Sequence, residues 1–112
     1  MTAAGYDRER LSPATQTPAA SATVTPDMAL GKVWVVQMPA GNITIANPIN
    51  TAYADVLTLI IIQDAVGTRL VTWGSAYKKL ITLSVVANSR DSVTYRFDGT
   101  NWNQIGSALA IA

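Results

Sequence analysis

From Leu30 onward, apolar and polar residues alternate with a period of two, the mark of strands buried on one face. Residues 32–38 form a first run, closed by Pro39-Ala-Gly41. Residues 42–46 alternate with Ile43 and Ile45 inward and end at Asn47-Pro48. Residues 55–63 are apolar on both faces, which predicts a central strand or one covered by another chain. Asp64-Ala-Val-Gly67 reads as a turn, with 68–73 as its returning hairpin mate, and Gly74-Ser75 breaks the pattern. Residues 80–86 form a further run, followed by a turn at Asn88-Ser89. The last stretch, 91–106, is a hairpin folded around Asp98-Gly99, a pair that accepts positive φ. Before that turn Val93, Tyr95 and Phe97 share one face and Thr94 and Arg96 the other; after it Trp102 pairs across to the aromatic side. About seven short strands with short turns predict an all-β fold, an antiparallel β-sandwich or small barrel. Helix is allowed only at 49–54 and 107–112, and no internal repeat is visible.

The first 28 residues differ. After a polar segment, residues 12–26 are small residues and threonines with three of the five prolines, which favours extended backbone and offers little to bury. The chain therefore divides into an extended or flexible N-terminal arm, 1–28, and a β domain, 29–112. The arm is either a disordered tail or a segment that lies on a partner. Its alternating charges, Asp7-Arg8-Glu9-Arg10, suit either role.

Composition sharpens this. Of 112 residues, 49% are hydrophobic and only 13% charged, against about a quarter in ordinary domains. So little charge implies that part of the apolar surface is covered by another chain. The net charge of +1, with scattered lysines and arginines, excludes nucleic acid as the main partner. The longest apolar run, 56–62, is far shorter than the roughly 20 residues of a membrane-spanning helix, and the first residues lack a signal peptide's apolar core. No membrane partner and synthesis in a cytoplasm are expected. Cysteine and histidine are absent, which removes disulfides, thiolate metal sites and the commonest general base. The four acids of the body, Asp55, Asp64, Asp91 and Asp98, stand at strand starts or turns, where aspartate bonds its own backbone. No catalytic, cofactor or metal residue is expected, and the chain reads as a non-enzyme.

Three tryptophans invite a second reading. Trp34 and Trp73, with Leu57, Leu59 and Ile61, sit in strands as core or as an interface between copies. Trp102, flanked by Asn101 and Asn103, offers an aromatic face with amides beside it, the makings of a glycan platform.

The order Leu57-Thr-Leu-Ile-Ile-Ile-Gln-Asp-Ala-Val-Gly67, then Val71-Thr-Trp-Gly74, then Phe97-Asp-Gly-Thr-Asn-Trp102 resembles small structural proteins of tailed bacteriophages over residues 30–106. The resemblance implies a β-structure of the virion, usually trimeric, serving as capsid decoration (cement), head fibre or tail-fibre domain. Two features depart from the pattern: Tyr77-Lys-Lys79 replaces a longer loop, and no shaft, collagen-like repeat or heptad precedes the body. The resulting expectation is a homotrimeric decoration protein on the capsid surface. Its arm residues Tyr6, Arg8, Arg10 and Leu11 would touch the major capsid protein. The alternative is a receptor- or glycan-binding domain of a head or tail fibre.

Overall fold

The computed structural model describes residues 15–18, 20–78 and 82–111. Within them the chain forms nine strands and no helix: β1 (Thr15–Gln16), β2 (Thr23–Val24), β3 (Val33–Gln37), β4 (Ile43–Ile45), β5 (Val56–Ile62), β6 (Val71–Trp73), β7 (Tyr77–Lys78), β8 (Arg90–Phe97) and β9 (Trp102–Ile111). Six make one sheet in the order β1-β3-β5-β8-β9-β7, and β2-β4-β6 make a second.

The chain steps between the sheets, β1 to β2, β3 to β4, β5 to β6, so that each pair is one coil. Successive coils stack in parallel. Val33 lies between Thr15 and Thr58 in the first sheet, and Thr44 lies between Thr23 and Thr72 in the second. This is a β-solenoid-like stack, not the antiparallel sandwich or barrel that the alternation suggests. Alternation fixes which face of a strand is buried and says nothing of the neighbour's direction. After the third coil β8 pairs antiparallel with β5, and β9 doubles back along β8, closing the stack.

The corner after β5 shows why the chain does not form the expected hairpin with 68–73. Gln63 is buried, and its amide nitrogen donates to the carbonyls of Arg69 (2.7 Å) and Ser84 (3.2 Å) while its Oε1 accepts from Arg69 N (3.2 Å). Asp64 accepts from the N–H groups of Val66 (3.1 Å) and Gly67 (2.8 Å) and from Arg69 Nε (2.9 Å). Gly67 and Thr68 both take positive φ, 81° and 64°. Together these turn the chain into the second sheet, where β6 joins β4, and leave β3 and β8 as the neighbours of β5.

Two other expectations give way. Of the strand expected at 80–86, residues 80 and 81 lie outside the described residues, and 82–86 are irregular. Ser84 N donates to Asp91 Oδ2 (2.6 Å) and Val85 O accepts from Thr68 N (2.8 Å), so side chains and a loop satisfy this backbone in place of a ladder. The stretches allowed as helix are not helical: 49–54 is a turn segment, and 107–111 belongs to β9.

The inner faces of the two sheets share one core. It includes Trp34, Val36, Leu57, Leu59, Ile61, Val93, Tyr95 and Trp102 from the first sheet and Val24, Ile43 and Ile45 from the second. Each large side chain here contributes about 1.5–3 kcal/mol by burial. The two-faced character of β5 follows from its central place: Leu57, Leu59 and Ile61 are buried, while Thr58, Ile60 and Ile62 are half-buried among neighbours on the outer face. Of the expected arm, parts of residues 15–18 and 20–28 lie against this body. β1 and β2 pair with β3 and β4, and Val24, Pro26 and Met28 are buried.

Candidate functional site

The closing hairpin and the segment before β5 frame a small cleft. The loop joining β8 to β9 spans four residues, 98–101. Asp98 organises it: Oδ1 accepts from the N–H groups of Thr100 (2.9 Å) and Asn101 (2.7 Å), and Oδ2 accepts from the Asn103 amide (2.9 Å). The hydrogen bonds from Asn101, then from the Asn103 side chain and Thr100, hold the Asp98 carboxyl below its ordinary value. Gly99 takes φ of 100°, as the Asp-Gly pair predicts.

Residues 50–55 come alongside. Ala54 N donates to Phe97 O (3.0 Å) and Phe97 N to Asp55 O (2.8 Å). Asp55 fixes the turn, accepting from Ala52 N (2.8 Å) and pairing with Lys32 Nζ (2.9 Å). Asn50 and Ala54 have positive φ on either side of Tyr53. The result presents Tyr53 at the tip of this turn, 79% exposed, with its ring beside Gly99. Between this ring and the hairpin lies a half-open cleft of about 190 Å³, lined chiefly by Tyr53, Arg96, Asp98, Asn103 and Ile105. It offers an aromatic face, an aliphatic wall, a guanidinium, a carboxylate and an amide.

The residues singled out from sequence distribute unevenly around it. Trp102 is 1% exposed and stacks on Phe97 with ring centroids 4.9 Å apart, so it presents no face to a ligand. Asn101 serves the hairpin loop, and Asn103 alone of that trio lines the cleft. Trp34, Leu57, Leu59 and Ile61 are core residues; Trp73 is half-buried against Tyr77 and Tyr95. Tyr6, Arg8, Arg10 and Leu11 lie outside the described residues. Sequence reading missed Tyr53 and Arg96. A large aromatic in a stretch without strand period was the available signal for the first. Among the described residues no three His, Cys, Asp or Glu side chains gather as a metal site, and no helix is long and apolar enough to cross a membrane.

Compared with known families, residues 16–102 match the one described as "Putative phage tail fibre C-terminal domain". A search of curated proteins finds no match.

Proposed function

The chain belongs to this family of phage tail fibre C-terminal domains, and from that premise we propose that it is a non-enzymatic fibre domain of the virion that holds a host-surface saccharide in the Tyr53 cleft. The family is one of fibres, so the expectation of a decoration protein on the capsid surface, touching the major capsid protein, is set aside.

The observation that carries the saccharide reading is the pairing of an exposed tyrosine with polar groups already oriented by the hairpin. Sugars bury one apolar ring face and direct hydroxyls sideways, so they are met by an aromatic plane rimmed with fixed donors and acceptors. Here Tyr53 supplies the plane, and Asp98 and Asn103 are held by each other. Little side-chain freedom is left to lose on binding.

The test is binding of the labelled full chain to cells of the phage's host, compared with Tyr53→Ala. Binding falls by about tenfold or more in the variant, the cost of one aromatic anchor, while thermal melting is unchanged because the ring is exposed. Undiminished binding by Tyr53→Ala overturns the reading.

The homotrimer implied by the resemblance stays within this proposal. It is supported by the half-buried outer row Val33, Val35, Ile60 and Ile62 and by exposed Leu109 on β9. Light scattering at micromolar concentration should return about three times the 11.9 kDa chain mass; a monomer there removes the trimer.

A further inference from the structure

We propose, resting on the reading of this cleft as a saccharide site, that its ligand is a sugar bearing a carboxylate, a uronic acid or its like, gripped by Arg96. Lys32 and Arg69 are each neutralised by a carboxylate at 2.9 Å, from Asp55 and Asp64. Arg96 is different. It is exposed on β8, and its cross-strand neighbours are the uncharged Val56 on β5 and Asn103 on β9. Among the described residues its guanidinium has neither an ion pair nor a hydrogen bond.

The carboxylate that shares the cleft is already committed. Asp98 takes three donors from its own hairpin, two on Oδ1 and one on Oδ2. It therefore stays with the loop and leaves the fork of Arg96 open to a ligand. A guanidinium presents parallel N–H donors that match the two oxygens of a carboxylate. The rest of the cleft supplies what the remainder of such a sugar needs. Asn103 spends its amide nitrogen on Asp98, which leaves Oδ1 as an acceptor for a hydroxyl. Tyr53 and Ile105 provide apolar surface for the ring. The Asp98 charge within the cleft also selects among anions: a singly charged carboxylate meets less repulsion there than a doubly charged phosphate.

The experiment uses the full chain and a panel of glucuronate, galacturonate and mannuronate oligosaccharides. Each is set beside its carboxyl-reduced counterpart and the corresponding 6-phosphate sugar, and binding is read by calorimetry at low salt. At least one uronate should bind about tenfold or more tightly than its reduced partner, as a charge-assisted bidentate contact allows. Arg96→Gln should erase that preference, bringing the uronate to the level of its reduced partner; Arg96→Lys should retain part of it. Tyr53→Ala should weaken both members of a pair. The proposal is overturned if no uronate is preferred, if the phosphate is preferred, or if Arg96→Gln keeps the preference. Cell binding separates this failure from the broader one. Dependence on Tyr53 without dependence on Arg96 leaves the saccharide site standing and removes the carboxylate, whereas indifference to both removes both.

Discussion

Tyr77 and Tyr95 look interchangeable in the sequence and are not in the structure. Their rings meet edge to face with centroids 5.0 Å apart. Burial pushes the Tyr95 hydroxyl up to about 12, and burial reinforced by Tyr95 pushes that of Tyr77 higher still. The Tyr77 hydroxyl donates to Ala46 O at 2.9 Å, whereas the Tyr95 hydroxyl is buried with no partner among the described residues. Tyr77→Phe should therefore cost about 1 kcal/mol, while Tyr95→Phe should be neutral or stabilising by up to about 1 kcal/mol, read from urea denaturation midpoints. The glycines separate in the same way. A Cβ on Gly67 would sit 2.6 Å from Val85 O at a φ of 81°, so Gly67→Ala should lose roughly 2 kcal/mol or more. At Gly99 the added carbon has room, its nearest neighbour being Tyr53 Cδ1 at 3.6 Å. There the backbone alone resists, and Gly99→Val should cost about 1 kcal/mol or more against a near-silent Arg96→Lys. Asp98 adds a pH dependence. Its folded value lies below the unfolded 3.8, so its contribution is complete above that value and is lost as the pH falls through the folded one. Melting temperature should drop on acidification below the unfolded value, and Asp98→Asn should flatten that part of the profile. Asp98-Gly99 was legible in advance because the turn is written in two adjacent residues. The cleft was not, because Tyr53 meets Arg96 only through strand pairing.

At the scale of elements, burial faces were readable and strand directions were not. Ile43 and Ile45 point inward as their alternation requires, and β5 is central as its two apolar faces require. Coiling escaped notice because the coils are unequal. Val33 answers Thr15 after 18 residues, and Thr58 answers Val33 after 25, so no fixed period marks the sequence. Gln63 was equally silent, since a glutamine at a strand end looks like a solvated residue until its bonds to Arg69 and Ser84 are seen. The segment before Ala29 makes the energetic point. A chain beginning there lacks Val24, Pro26 and Met28 from the core and one of the two parallel partners of each of β3 and β4. Its melting temperature, followed by circular dichroism, should fall by roughly 10 °C or more. A separable arm would leave it unchanged.

For the whole molecule, the two sheets differ in how they end. The six-stranded sheet runs from the two-residue β1 through the long β8–β9 hairpin to the two-residue β7, and the cleft lies at the hairpin. If the cleft holds a ligand as proposed, a tether pulling on the N-terminal side loads the ladders β1·β3, β3·β5 and β5·β8 in series. They are unequal links: β1 meets β3 over two residue pairs, β3 meets β5 over five, and β5 meets β8 over seven. Under tension the first coil should peel away while the grip on the ligand is still intact. The stack then behaves as a graded shock absorber, with its most compliant turn farthest from the bound surface.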